Sequence, residues 1–292
     1  MNDHILIATA YDSLVRIYVA KTKNLVETSR NIHETWPTAT AALGRLLTAG
    51  AMMSFMNKDD SELLLKIEGD GPIGQMIVES NHHGEVRATI KNPAVYLKYN
   101  DSNKLAVGNA VGLGLLTVRR NPHLKNAFTS SVNLVNGEIA EDLTYYFFLS
   151  EQTRSSVGLG VLVNEDQSVK QAGGFIIQLL PGATDKVIDQ IEKVLEDIKS
   201  VTDLFESGLD THGIISKLAN GTEKLLDIKP VRYFCSCTKD YYFEAIKKLD
   251  DLVIDEMVHE DNGAEIICQY CKTKYHFSRE ELEEIKESKK NI

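Results

Sequence analysis

Two short stretches near the C-terminus decide how this chain is organised: VRYFCSC at residues 231–237 and EIICQYCKTKYHF at residues 265–277. They hold all four cysteines of the 292-residue chain, as a Cys-x-Cys pair and a Cys-x-x-Cys pair. Structural zinc sites are tetrahedral, and four thiolates satisfy them well. The spacing therefore predicts one Zn²⁺ site with four ligands: Cys235, Cys237, Cys268 and Cys271.

Other interpretations of these stretches are weaker. Four ordinary buried cysteines would hardly fall into two tight pairs. His276 offers a fifth ligand atom, but with four cysteines present we expect it to be an ordinary hairpin residue. Lys239, Lys272 and Lys274 lie close to the cysteines in sequence, and nearby cations favour the thiolate over the thiol.

The segment 231–292 has few large apolar side chains with which to build a core of its own. Zinc binding contributes about 10–16 kcal/mol in zinc-finger peptides. The net stability of a typical domain is only about 5–15 kcal/mol. We therefore expect this segment to unfold when oxidation removes the zinc ligands, which makes the site a candidate switch.

Residues 1–180 predict an α+β domain rich in antiparallel strands. Residues 5–20 have the pattern of a hairpin. Pro37 opens a helical stretch in which apolar residues recur at helical spacing. Between 62 and 178, β-rich runs alternate with Gly, Pro and Asn turn signals.

The pattern changes after Pro181, where Val187, Ile191 and Val194 recur at helical spacing with acids and lysines between them. We interpret residues 181–230 as a helical connector. Residues 231–292 then form a small zinc-binding C-terminal domain.

The charge and the N-terminus limit the partners and the location. A formal net charge of -10 disfavours binding to phosphate backbones. The N-terminus lacks a basic region followed by a long apolar run, and no stretch of about 18 apolar residues occurs. We expect no nucleic-acid partner, no membrane partner and a cytoplasmic location. Thiols stay reduced there, which favours metal or redox chemistry over structural disulfides.

The cysteine pairs, at this spacing near the end of a chain of this size, resemble those of the 33-kilodalton redox-regulated heat shock chaperones of bacteria. The resemblance covers essentially the whole chain, and further motifs follow in that family's order: GDGP at 69–72, GEIAEDL at 137–143, SEQT at 150–153, AGG at 172–174 and IQLLP at 177–181. One departure is Arg154, where proline is expected.

This resemblance implies a redox-regulated, ATP-independent holdase and not an enzyme. In the reduced state one zinc ion is bound and the chaperone is inactive. Oxidants would convert the pairs to Cys235–Cys237 and Cys268–Cys271 disulfides, with loss of zinc, unfolding of the C-terminal domain and loosening of the connector. The exposed surface would then bind unfolding client proteins, and the active members of the family are homodimers.

Two alternatives stay open from the residues alone. A thiol-disulfide oxidoreductase would use Cys268 and Cys271, although no βαβ pattern lies near them. A zinc-ribbon nucleic-acid binder would need a basic face, whereas residues 231–292 hold 10 Lys plus Arg and 14 Asp plus Glu.

A third group of residues invites a catalytic interpretation. Glu138, Glu141 and Asp142 form a carboxylate cluster, but no nucleophile, metal motif or phosphate loop lies near them in the sequence. We interpret them as a solvated turn before a strand.

Overall fold

A computed structural model describes residues 2–56, 61–100, 104–122, 124 and 127–290. The chain divides into two compact units, Met1–Phe234 and Cys235–Ile292. The boundary falls directly before the first cysteine, so both cysteine pairs belong to the second unit. None of the helices in the described ranges is long and apolar enough to cross a membrane.

Two sheets and a hairpin contain the strands: β1 His4–Ala10, β2 Val15–Lys21, β3 Glu62–Gly69, β4 Gln75–Asn81, β5 Glu85–Ile90, β6 Gly114–Arg120, β7 Phe128–Asn133, β8 Ser155–Val163, β9 Val169–Leu179, β10 Lys224–Pro230, β11 Arg232–Tyr233, β12 Gly263–Ile267 and β13 Lys274–Ser278. The helices surround them: α1 Lys23–His33, α2 Pro37–Met53, α3 Val107–Val111, α4 Ala140–Leu149, α5 Asp185–Glu196, α6 Val201–Glu206, α7 Thr211–Leu218, α8 Lys239–Ile246, α9 Asp251–His259 and α10 Arg279–Lys290. The predicted α+β class is confirmed.

Sheet A has the order β10-β1-β2-β9-β8, and its neighbouring strands are antiparallel. Strands β1 and β2 form the hairpin predicted at residues 5–20. Sheet B has the order β11-β5-β4-β3-β6-β7 and is antiparallel except for the short β11, which runs parallel to β5. Buried and half-buried residues alternate along β4 and β5, as expected for strands with one face in the core.

Helix α2 lies between the two sheets and contacts strands of both. Pro37 occupies its first turn, where a missing backbone N–H costs little. Leu43, Leu46 and Leu47 are fully buried, as their helical spacing predicts. A Cβ on Gly44 would lie 2.6 Å from Val26 Cγ1, so α1 and α2 can approach this closely only because residue 44 has no side chain.

Helices α5, α6 and α7 cover the face of sheet A that is turned away from α2. Their apolar side chains form one buried cluster with residues of β1, β2 and β9. Val187 and Ile191 of α5 are buried in it, in agreement with the predicted apolar stripe. Residues 224–230, which the sequence analysis placed in the helical connector, form β10 instead. Their backbone groups form hydrogen bonds with β1. The local sequence pattern cannot predict this strand, because β1 is distant in sequence.

The second unit is small. Helices α8, α9 and α10 pack with the β12–β13 hairpin around a core of six buried apolar side chains: Ile246, Ile254, Val258, Phe277, Leu282 and Ile285. Ser278 and Glu281 form a capping box at the start of α10, in which the Ser278 N–H donates to Glu281 Oε2 at 2.9 Å. A unit of fewer than 60 residues with so few buried side chains has little hydrophobic stabilisation of its own.

Candidate metal centre

The two cysteine pairs lie on two different kinds of local structure. Cys235 and Cys237 precede α8, and Thr238 caps that helix by accepting a hydrogen bond from the Tyr241 N–H at 3.1 Å. Cys268 and Cys271 lie in the turn of the hairpin that β12 and β13 form.

Backbone hydrogen bonds close that turn tightly. The Cys268 N–H donates to the Thr273 carbonyl and the Lys272 N–H to the Cys268 carbonyl, both at 2.9 Å. Lys272 adopts a left-handed conformation, with φ of 60°. These constraints bring the backbones of Cys268 and Cys271 close together in one tight turn.

The four sulfur atoms converge on one point. All four Sγ atoms lie within 4.8 Å of one another, with Cys235 and Cys268 at 3.7 Å and Cys237 and Cys271 at 3.2 Å. A disulfide requires about 2.05 Å, and all four cysteines are free thiols. A tetrahedron with metal–sulfur bonds of about 2.3 Å has edges of roughly 3.8 Å. The donor set and its dimensions therefore fit a tetrahedral thiolate metal centre.

The full-length comparison with known proteins agrees with this geometry. A profile of the family described as Hsp33 protein matches residues 3–278. The 33 kDa chaperonins of Acholeplasma laidlawii and Bacillus subtilis are 49% and 43% identical to this chain, over 99% and 98% of its length and 100% and 98% of theirs. The crystal structure of the 33 kDa chaperonin of Thermotoga maritima has a TM-score of 0.94 at 34% identity, covering 100% of both chains.

The chain belongs to the Hsp33 family. It is therefore a chaperone of that family and not an enzyme, which decides against the oxidoreductase alternative. The four cysteines of this Hsp33 chain are the cluster among the described residues that could hold a metal ion.

Cys268 ionises more readily than Cys235 and Cys237. Burial raises the pKa of the Cys235 and Cys237 thiols. Burial also opposes ionisation of Cys268, but a hydrogen bond from Tyr242 and two from backbone N–H groups outweigh it and lower the pKa of Cys268 to about 6. Four thiolates this close together repel one another strongly, so a divalent cation is needed before all four can ionise.

Two tyrosines that the sequence pattern does not identify form hydrogen bonds to the cysteines. The Tyr275 hydroxyl donates to the Cys237 carbonyl at 2.9 Å and lies 3.2 Å from the Cys237 sulfur. Tyr242 hydrogen-bonds to Cys268, and the two tyrosine rings lie 5.0 Å apart. Their only signal in the sequence is closeness to the cysteines, since α8 and β13 come together only in the folded unit.

The charged neighbours mostly point away from the sulfur atoms. His276 is largely exposed and faces Glu265, with Nε2 and Oε2 3.3 Å apart, so it is the ordinary hairpin residue that was expected. Lys274 also pairs with Glu265, and Lys239 pairs with Glu281. These ammonium groups are engaged by carboxylates, so hydrogen bonds favour the Cys268 thiolate more than the lysines do.

The carboxylates of the GEIAEDL motif are neither catalytic nor a solvated turn before a strand. Glu138 precedes α4, Glu141 and Asp142 lie in its first turn, and two of the three have structural partners. Asp142 is buried and accepts hydrogen bonds from the N–H groups of Val135 and Ile139 at 2.6 and 2.8 Å. Glu138 accepts from Arg45 at 2.5 Å and from Tyr99 at 2.6 Å. The expectation failed for Glu138 because its partners Arg45 and Tyr99 are distant in sequence, and for Asp142 because it binds the backbone N–H groups of the preceding loop.

Proposed function

We propose that this Hsp33 chain is a redox-regulated, ATP-independent holdase whose switch is the four-cysteine cluster. The observation that carries the proposal is the position of that cluster in a unit whose described residues form a core of six buried apolar side chains. The hydrophobic core of a unit as small as this one rarely contributes more than about 3–5 kcal/mol to the free energy of unfolding. Bonds to the sulfur atoms would then decide whether the unit is folded.

The reduced thiolates of Cys235, Cys237, Cys268 and Cys271 would bind one Zn²⁺ ion. When bound, zinc would hold both loops together and supply folding free energy, by analogy about 10–16 kcal/mol. Zinc fits better than harder cations because four sulfur donors select soft or borderline metals.

Oxidation would remove this support. Each disulfide forms from two thiols, and one peroxide molecule accepts the two electrons and two protons and leaves as two water molecules. We propose the pairing Cys235–Cys237 and Cys268–Cys271. A bond within each pair leaves the two loops free of each other, whereas a bond across the pairs would link them and oppose unfolding.

The connector would carry the signal into the first unit. Only residues 231–234 separate β10 from the first cysteine. Helices α5, α6 and α7 cover apolar residues of sheet A, including Ile17, Val19 and Phe175. Loosening these helices would expose that apolar face to unfolding client proteins. The active form would be a homodimer in the cytoplasm.

The test follows zinc, structure and chaperone activity in the same sample. Reduced and peroxide-treated protein at mild heat are compared by metal analysis, far-UV circular dichroism and suppression of aggregation of an unfolded test protein. We expect loss of one zinc ion per chain, loss of helical signal and gain of protection together. Oxidised, zinc-free protein that protects no client at any ratio would refute the proposal.

A further inference from the structure

Strand β8 forms one edge of sheet A, and no strand of the described part of the chain pairs with its outer side. Among the described residues, sheet A ends at β8. The Leu179 N–H donates to the Arg154 carbonyl at 3.0 Å, and β8 and β9 pair in register from Ser155–Gln178 onward. In an antiparallel ladder, both backbone groups of a residue point to the same side, and the side alternates along the strand.

This alternation fixes which residues face the open edge. Arg154 is hydrogen-bonded to β9, and every second residue after it, that is each even-numbered residue of β8, therefore also forms its backbone hydrogen bonds with β9. The N–H and C=O groups of Val157, Leu159 and Val161 therefore point away from β9. The opposite assignment is excluded because the even-numbered residues of β9 bond to β2, as the hydrogen bond from the Thr22 N–H to the Ala172 carbonyl shows.

The composition of β8 does nothing to block strand addition. Its sequence, SSVGLGVLV, has neither charge nor proline. The opposite edge of the same sheet, β10, reads KLLDIKP and has three charges and a terminal proline. Natural edge strands carry such residues to prevent pairing with other chains, so their absence from β8 favours pairing.

A groove of about 1410 Å³ runs along this edge. It is lined by β8 from Val157 to Val163, by the first turns of α2 and α4, and by connector residues 195–203. Trp36 and Tyr96, about half exposed, supply aromatic surface to it. Helix α6 packs on the glycines of β8, where a Cβ on Gly160 would come within 2.9 Å of Thr202 Cγ2.

We propose that the β8 edge is a binding site for an extended apolar segment of an unfolded client, which adds to sheet A as a sixth strand. This inference rests on the proposed holdase function and names a binding site for it. Backbone pairing recognises any extended segment with little regard to sequence, while the groove accepts alternate side chains. Because the connector lines the groove, its loosening would widen access to the edge.

The test uses full-length oxidised protein and a fluorescein-labelled, lysine-capped peptide of alternating Thr and Val. In a matched peptide, esters replace the six central amides. Because successive N–H groups of a strand point to opposite edges, this removes three N–H donors from whichever edge of the peptide faces β8. Each net hydrogen bond is worth roughly fivefold in affinity, so we expect the ester peptide to bind about 100-fold more weakly in fluorescence anisotropy. Equal binding of the two peptides, or no binding of either, would overturn the inference.

Leu159→Pro tests the edge from the protein side. The ring removes an outward N–H that β9 does not use, and it blocks the strand edge. The control is Thr129→Pro on β7, the edge strand of sheet B. The Leu134 N–H bonds to the Gly114 carbonyl, so the even-numbered residues of β7 bond to β6 and the N–H of Thr129 points outward. We expect peptide affinity to fall at least tenfold in Leu159→Pro and less than twofold in Thr129→Pro.

Other outcomes are equally decisive. If Leu159→Pro changes the oligomeric state in sedimentation while peptide affinity per protomer is unchanged, the edge serves a second copy and the client assignment is wrong. If the variant fails to fold, the comparison of amide and ester peptides still decides. Protein that suppresses aggregation but does not discriminate between the two peptides keeps the holdase proposal and refutes only this site.

Discussion

Leu282→Ala should separate the folding contribution of the metal from that of the core in the second unit. Leu282 is fully buried and is one of the six side chains that form the core cluster among the described residues of this unit. Leu→Ala at such sites costs about 2–5 kcal/mol, which is comparable to the roughly 3–5 kcal/mol that so small a core supplies. The contribution expected from zinc, about 10–16 kcal/mol, exceeds this loss. The variant should therefore be folded with metal and unfolded without it, even when its thiols are reduced.

The assay compares thermal unfolding by far-UV circular dichroism in reduced protein, with zinc and after chelation. A loss of about 3 kcal/mol lowers the midpoint of a small domain by roughly 12–24 °C. In the chelated variant we expect no transition of the second unit at all, together with protection of an unfolded client without oxidant. The control is Leu252→Ala on α9, the same change at a side chain that is 73% exposed.

The outcome that would refute this reasoning is equally specific. If chelated, reduced Leu282→Ala keeps the helical signal of the second unit, the core is self-sufficient and metal loss is no trigger. The same conclusion holds if Leu282→Ala and Leu252→Ala have equal midpoints in both states.

Three further changes probe the site and the first unit. Cys271→Ser replaces a soft ligand with a hydroxyl, so metal analysis should find less than one zinc ion per chain and the variant should protect clients without oxidant. Tyr275→Phe removes a hydrogen bond to the Cys237 carbonyl, and competition with a chelating dye should find roughly 10-fold weaker zinc binding. Burial opposes ionisation of Glu138, but hydrogen bonds from Tyr99 and Arg45 outweigh it and hold the pKa of Glu138 below its ordinary value of 4.5. The stability from Glu138 is therefore complete above that value and is lost as pH falls through the folded-state pKa. Glu138→Gln should flatten the decline in urea midpoint between about pH 5 and 3, and equal slopes in both proteins would contradict this.

The cluster of four cysteines that could hold a metal ion was predictable from the sequence. Two tight cysteine pairs identify four sulfur donors, because closely spaced cysteine pairs are typical of metal sites and the chain has no other cysteines. The tyrosine partners were not predictable, because tyrosine is common in both strands and helices and gains its role from α8 and β13 meeting. The disulfide pairing stays a prediction, and the sulfur atoms of Cys235 and Cys268, and those of Cys237 and Cys271, also lie close together at 3.7 and 3.2 Å.

The fold divides in the same way. Local signals predicted the first hairpin, the helix from Pro37 and the stripe of α5, because burial on one face imposes a period that can be read locally. They misplaced β10, whose only reason to be extended is the free edge of β1. They also misjudged Glu138 and Asp142, because Arg45, far away in the chain, holds Glu138 and the backbone just before and at the start of α4 folds over Asp142.

The sequence by itself determined which four cysteines form the candidate metal site, the α+β class and the separation of a cysteine-bearing C-terminal segment. Residue chemistry and short-range periodicity are properties of neighbours along the chain. Only the tertiary structure decided the convergence of the sulfur atoms, the tyrosines around them and the open edge at β8. Those features depend on which strands and helices become neighbours in space. That choice is made by backbone pairing and core packing over long sequence separations, which no local pattern encodes.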